Sequence, residues 1–329
     1  MLPPDVTVLR QFLAADGGIV PGPKLGKLLG ISRVSVWMRL RRLEKQGFRF
    51  ESVHRRGYRL VRKPAGLHQA LLLAHLHGRP RLPEIACLDT VDSTNSEAER
   101  RLAAGAGVPL VILARRQTEG RGRRGRVWHS ADSGNLYATF VFRPHLDPGQ
   151  MQDFTLWMGL HVCELISSFC LLQPGLKWPN DVYLNGRKAG GMLTEARVDA
   201  DQIRELVFGL GLNLNGHLPR DLVATATTLA EAAGQPVDFN RFTAALIGRI
   251  LTAYSDFVGG RYREKFDELW PRYDCLAGRA VAVTQGDRVI AGTAQGIDAD
   301  GSLLVRTAAG RTERFRAGEV TLAKPPPPA

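Results

Sequence analysis

Two short stretches of this 329-residue chain concentrate the side chains that handle phosphate. The first is Gly120-Arg121-Gly122-Arg123-Arg124-Gly125, continuing through Arg126 and Val127 to Trp128; residues 115–126 hold six Arg against one Glu. Arginine forks match phosphate oxygens. Glycines let the backbone approach a ligand closely and let a loop order around it. The string fits both the dinucleotide-binding and the kinase glycine-loop patterns, and both fail on context. A dinucleotide site needs a helix opening at the last glycine, whereas residues 127–134 read as loop. A kinase needs H-R-D and D-F-G, and neither occurs. G-K-[ST], H-E-x-x-H and G-x-S-x-G are absent too, which sets aside the common NTPase, zincin and hydrolase readings. A glycine/arginine tail for RNA would be repetitive and terminal; this run is single and internal.

The second stretch is Lys177-Trp178-Pro179-Asn180-Asp181, an apolar run, Asn185-Gly186, then Arg187-Lys188-Ala189-Gly190-Gly191. Asn-Gly between apolar runs signals a β-hairpin, with Lys177 and Asp181 at its start and Lys188 on the return strand. Two lysines and a carboxylate converging near an arginine loop suit a triphosphate with Mg²⁺, Asp181 being the metal candidate. By spacing alone, surface ion pairs fit equally well. A third feature, Asp92-Ser93-Thr94-Asn95, precedes a helix expected to run to Leu102; a cap from Ser93 or Thr94 would account for a hydroxyl there.

The elements that must hold these groups follow from pattern. An apolar strand, residues 110–114, leads into the arginine loop. Residues 1–63 carry 14 Lys+Arg against 4 Asp+Glu, most of the chain's net +12. In that segment residues 6–14 space Val6, Leu9, Phe12 and Leu13 as one helix face. Pro23 opens a second helix, with Leu25, Leu28 and Leu29 inward and Gly30 at its end. Ser32 caps a third running to about Gln46, closed by Gly47, with Val36, Leu40 and Leu43 inward. Arg33, Ser35, Trp37, Arg41 and Arg42 lie largely off that stripe. Residues 48–60 alternate around His54-Arg55-Arg56-Gly57 as a hairpin wing, so the segment reads as a winged helix-turn-helix for DNA. A basic surface without a ligand is the plainer alternative. The composition, 44% hydrophobic and 23% charged, is that of a globular protein of two or three domains. The longest apolar run, residues 156–172, is broken by His161 and Glu164, and the first residues lack the order of a signal peptide. The four cysteines form no C-x-x-C pair, so a cytoplasmic protein without disulfides or a thiolate zinc site is expected.

Taken together, the motifs resemble those of the bifunctional biotin–protein ligases that also repress the biotin operon. The likeness spans nearly the whole chain, in the family's order. It runs from the winged helix at 21–60 through D-S-T-N at 92–95, Q-T-x-G-R-G-R-x-G-R-x-W at 117–128 and K-W-P-N-D at 177–181. It ends with R-K-x-x-G at 187–191, Gly209-Leu210-Gly211-Leu212-Asn213 and a β-rich segment at 278–322. The implied fold is α/β (α+β). It has a winged helix-turn-helix (1–63), a linker helix (64–82), a central mixed-sheet catalytic domain (83–274), an SH3-like β-barrel (275–323) and a disordered tail (324–329).

The resemblance implies attack of the biotin carboxylate on ATP to give biotinyl-5′-AMP, then transfer to a lysine of a biotin carboxyl carrier domain. ATP and Mg²⁺ would serve as cofactors and biotin as substrate. Operator DNA and a homodimer formed when adenylate is bound are the implied partners, with no membrane. Ser93, Thr94, Asn95 and Gln117 would line the biotin pocket, and Arg121, Gly122 and Arg123 would close over the carboxylate and phosphate. Lys188, with Arg123, would be catalytic. Trp128 would cover the adenine and Asn213 hold the nucleotide. Arg126, Lys177, Asn180 and Asp181 would serve the triphosphate, Asp181 through Mg²⁺. Arg33, Ser35, Trp37, Arg41, Arg42, Arg55 and Arg56 would meet DNA. The recognition helix departs from the family in having Met38 where a lysine is frequent. Three rivals stay open: a lipoate ligase, a biotin-sensing regulator without ligase activity, and a ligase whose winged helix no longer binds an operator.

Overall fold

The computed structural model describes residues 2–78, 82–130 and 134–322; the tail expected to be disordered, 324–329, lies outside them. The chain divides into two units, Met1–Leu82 with Asp238–Ala245, and Pro83–Val237 with Leu246–Ala329.

The first unit holds α1 (Pro4–Ala14), β1 (Ile19–Val20), α2 (Gly22–Leu29), α3 (Arg33–Glu44), β2 (Arg49–Val53), β3 (Gly57–Arg62) and α4 (Gln69–Leu76). Ser32 caps α3 by accepting from the Ser35 amide, and α2 ends on Gly30 in the left-handed region. Val6, Leu9, Phe12, Leu25, Val36, Leu40 and Leu43 are buried together, and Leu71 and Ala74 of α4 join the same core. Leu28, expected inward, is 49% exposed. Gly22, Leu25 and Gly26 take the buried face of this two-turn helix, and position 28 falls about a third of a turn away. The wing is β2 against β3, with β1 on the other side of β3. Gly57, at φ 133°, sits so close to the Val20 carbonyl that no Cβ fits there.

The second unit is built on a seven-stranded mixed sheet ordered β4 (Glu84–Val91), β5 (Leu110–Gln117), β6 (Leu136–Phe142), β10 (Gln202–Leu212), β9 (Arg187–Asp199), β8 (Asp181–Leu184), β7 (Gly175–Lys177). Only the β4–β5 pair is parallel. Alternate residues of a strand point to opposite faces. Val141 and Val207 accordingly pack with Ala98 and Leu102 of α5 (Thr94–Ala103). Phe142 meets Phe154 of α6 (Met151–Cys170) and Tyr254 of α8 (Phe239–Val258), and Phe208 meets Phe154. Two further helices, α7 (Leu229–Ala233) and α9 (Arg263–Tyr273), precede a five-stranded antiparallel sheet. Its strands are β11 (Ala280–Gln285), β12 (Arg288–Ile297), β13 (Leu303–Arg306), β14 (Thr312–Phe315) and β15 (Glu319–Leu322), ordered β14-β13-β12-β11-β15. The Trp178 indole N–H donates to the Gly301 carbonyl (2.9 Å), tying the β7–β8 turn to this sheet. No described helix is long and apolar enough to cross a membrane.

Candidate active site and DNA-facing surface

The phosphate-type motifs, far apart in sequence, converge on one cavity of about 800 Å³ in the second unit. Its walls are the start of α5, the end of β5, the arginine loop, the β7–β8 turn, the first half of β9, the end of β10 and the Gly318–Val320 corner of the C-terminal sheet.

The hairpin forms as expected. Asn185 and Gly186 both adopt positive φ (50° and 76°), the requirement of a type I′ turn, and Asp181 pairs with Gly191 across it. That places Lys188 Nζ 2.7 Å from Asp181 Oδ1 and 5.3 Å above the Trp128 ring. The Lys188 backbone is held by residues 225–227, its amide donating to the Thr225 carbonyl and its carbonyl accepting from Thr227, at 2.8 and 2.9 Å. Asn213 lies beside it, its amide bonded to the Ala189 carbonyl (2.8 Å) and its side chain to the Thr227 carbonyl (3.1 Å).

Ser93 occupies the N-cap position of α5 but makes no side-chain cap bond, so the cap does not account for a hydroxyl here. Thr94 instead turns its hydroxyl and amide to Gln117 Oε1 (3.0 and 2.8 Å). Gln117 Nε2 donates to Ser130 Oγ (2.8 Å), which donates to the Trp128 carbonyl (3.0 Å). Asn95, 4% exposed, accepts from Thr139 and donates to Glu195 Oε2, both at 2.7 Å. Bare Gly209 makes room for it.

The arginine loop is folded. Gly122 and Trp128 amides donate to the Arg126 and Gly120 carbonyls (2.7 and 2.8 Å), and Arg124 and Gly125 turn the chain at positive φ. Arg121 bridges Glu99 and Glu195 (3.0 and 2.8 Å), and Arg126 pairs with Glu319 of β15. Two further cations of the cavity have neutral hydrogen-bond partners: Arg123 donates to Asn180 Oδ1 (3.1 Å) and Lys177 to the Tyr183 hydroxyl (3.3 Å). Burial lowers the pKa of both below their ordinary values, assisted by Arg124 for Arg123 and by Lys188 for Lys177, while Asp181 opposes the shift in each. An anion entering between them would relieve that cost. The Trp128 ring closes this end of the cavity over Gly211 and Gly191, where side chains would collide with it.

Every residue expected to meet biotin or ATP therefore lines the cavity, Ser93 and Asn213 included. Sequence reasoning missed Glu195, Ser130 and Glu319. Glu195 shares its strand with Arg187, Lys188, Arg197 and Asp199, so its charge alone did not mark it out. As to a metal, no group of three or more His, Cys, Asp or Glu side chains is placed to hold one among the described residues. The donor set fits an Mg²⁺ carried in on triphosphate oxygens with Asp181 beside it, not a protein cage.

On the first unit, Arg33, Ser35, Trp37, Arg41 and Arg42 of α3 and Arg55 and Arg56 of the wing turn are all exposed. Arg41 bonds Glu44 (2.9 Å) and Arg42 bonds Asp5 (3.2 Å).

Residues 87–213 match the Biotin/lipoate A/B protein ligase family, 277–322 the Biotin protein ligase C terminal domain and 7–59 an HTH domain. The chain is 31% identical to the bifunctional ligase/repressor BirA of Bacillus subtilis, over 91% of this chain and 93% of that one. It is 30% identical to BirA of Escherichia coli, over 97% and 98%. Among solved structures, the biotin protein ligase of Aquifex aeolicus in complex with biotin and ATP superposes with a TM-score of 0.63 at 30% identity, covering 74% of this chain and all of that one. The chain belongs to the biotin–protein ligases, in the bifunctional ligase/repressor form that carries an N-terminal helix-turn-helix domain.

Proposed function

We propose that this chain joins biotin to a carrier lysine at the expense of ATP and, through its N-terminal unit, represses transcription in response to biotin. The observation that carries the ligase reading is the pair of half-buried cations with neutral partners, Arg123 and Lys177, sharing one cavity with the Lys188–Asp181 pair.

In the first step a biotin carboxylate oxygen bonds to the α-phosphorus of ATP and the bond to the β-phosphate bridging oxygen breaks, releasing pyrophosphate. Two anions must meet, and Arg123 with Lys188 offsets their repulsion as charge builds on the phosphorus. Lys188 leaves Asp181 for the reacting oxygens. Asp181, beside Lys177, Asn180 and Arg126, would then be free to hold an Mg²⁺, which would offset charge on the triphosphate. Trp128 covers the adenine and Asn213 fixes the nucleotide. Thr94, Asn95 and Gln117, already oriented by Thr139, Glu195 and Ser130, bind the polar end of the biotin ring, with Ser93 beside them. Arg121 and Gly122 close over the adenylate and keep water from hydrolysing it. In the second step the carrier lysine amine attacks the acyl carbon, AMP leaves, and the amine loses a proton. α3 and the wing, through Arg33, Ser35, Trp37, Arg41, Arg42, Arg55 and Arg56, hold operator DNA as a dimer forms on adenylate binding.

A mass spectrum of a biotin carboxyl carrier domain after incubation with the full chain and MgATP, with biotin and lipoate in parallel, tests the ligase reading. Biotin on the carrier lysine is expected. Lipoate transfer, or biotin binding without modification of the carrier, would replace it with the lipoate ligase or the regulator without ligase activity.

A further inference from the structure

The outward face of α3 is unusual for a helix offered to DNA. Val34 is 67% exposed, Met38 61% and Trp37 48%, and together with Arg41 they follow the i, i+3, i+4, i+7 spacing of a single stripe. The Arg41 guanidinium lies 5.3 Å over the Trp37 ring, so the stripe is continuous from the first turn of the helix to the third.

The polar side chains of α3 are largely occupied. Ser35 Oγ bonds Ser32 Oγ (2.9 Å), Arg41 bonds Glu44, and Arg39 and Arg42 both bond Asp5. The ion pairs of Arg41 and Arg42 are exposed and weak, so these side chains and Arg33 keep donors for phosphate, while the middle of the outward face is left to Val34, Trp37 and Met38. Positive charge surrounds the stripe, with Arg33, Arg42 and Lys45 exposed beside it. A second copy of the same face would bring like charges together, whereas a polyanion complements them. In the major groove, where a recognition helix docks by its N-terminal residues, the apolar group a base pair presents is the thymine 5-methyl.

We infer that Val34, Trp37 and Met38 read duplex DNA by packing against thymine 5-methyl groups, so that operator specificity rests on shape and apolar contact more than on hydrogen bonds. This deepens the DNA-binding reading above and depends on it.

The test selects binding sites from random duplexes with the full chain, biotin and MgATP. It then replaces each thymine of the selected site by deoxyuridine, one at a time, which deletes the methyl and keeps the base pair. Burial of one methyl corresponds to about fourfold in affinity, so losses of that size are expected at two or more positions. Val34→Ser and Met38→Ser sit at exposed positions that the fold tolerates, and each should abolish the penalty at its own thymine, a coupling that general weakening does not produce. A selected site indifferent to every deoxyuridine overturns the methyl reading and leaves DNA binding standing. No selected sequence at all overturns both. Sedimentation showing that the variants dissociate a dimer, with no deoxyuridine effect, assigns the stripe to a second copy of the chain.

Discussion

Gly211→Ala is the most informative single-methyl change in the cavity. A Cβ at this position would lie 2.8 Å from Trp128 Cζ2 and closer still to Cε2 and Nε1. The indole must move, because the three atoms nearest to that Cβ all belong to it. Packing and the Lys188 ammonium above it hold the ring, since its Nε1 is buried with no hydrogen-bond partner among the described residues. Overpacking of this kind costs about 1–3 kcal/mol, taken up largely by displacing Trp128 and not by unfolding. If Trp128 covers the adenine, loss of a base-stacking contact worth about 1–3 kcal/mol raises KM for ATP roughly 5- to 150-fold. Biotin affinity should change little, because the α5 side of the cavity is untouched. Pyrophosphate release against ATP concentration reads the first effect and calorimetric biotin binding the second. Trp128→Leu should produce a similar KM defect, and adding Gly211→Ala to it should cost little more, because the clash is then gone. An unchanged KM for ATP in Gly211→Ala, or simple additivity of the two variants, would refute the assignment of Trp128 to the adenine.

Lys188→Ala should reduce adenylate formation by about 10²–10³-fold, the usual effect of removing one preorganised charge stabiliser, with the thermal midpoint little changed; single-turnover pyrophosphate release checks it. Ligation from pre-formed adenylate should suffer less. His161, 4% exposed, is pushed by burial, with Lys265 and Arg249 adding to it, down to about 3 from its ordinary 6.5. The unfolded chain therefore takes up a proton below pH 6.5 that the native state refuses until near pH 3. Stability is full above 6.5 and falls by about 1.4 kcal/mol per pH unit below it. Denaturant titrations of the wild type and His161→Leu from pH 7 to 5 should differ by that slope, and parallel curves would show that His161 titrates alike in both states. DNA binding should weaken steeply with salt, log K falling by about 4.5 per decade for each protomer bound if Arg33, Arg41, Arg42, Arg55 and Arg56 each neutralise a phosphate. A flat response would leave α3 and the wing without a phosphate footprint.

What the sequence reveals is what adjacent residues decide among themselves. The Ser32 cap, the Gly30 stop, the Asn185-Gly186 turn and the buried stripe Val36, Leu40, Leu43 are local, and each forms where its pattern puts it. Readings that weigh a residue only against its neighbours fail where a distant partner outbids them. The hydroxyls at 93 and 94 satisfy a capping rule, yet Thr94 takes Gln117, 23 positions away. Glu195 belongs to none of the motifs, and its role appears only when Asn95 and Arg121 arrive from 100 and 74 positions away. Glu319 reaches the arginine loop from 193 positions along. The glycines at 209 and 211 were visible as a motif, but the side chains they admit, Asn95 and Trp128, were not.

The composition of the first unit sets the order in which the molecule can be made. Its core closes among residues 6–74, but Lys63 pairs with Asp238, and the His68 amide and the Gly66 carbonyl both bond the Asn240 side chain, at 2.8 and 2.9 Å. On a ribosome adding about 5–20 residues per second, those partners emerge roughly 10–30 s after residue 82. During that interval the approach to α4 lacks these anchors while the sheet of the second unit is still being synthesised. A nascent or prematurely terminated chain thus presents a helix-turn-helix core without its full set of contacts. Finished anchoring of the N-terminal unit becomes a sign that most of the ligase portion has already been translated.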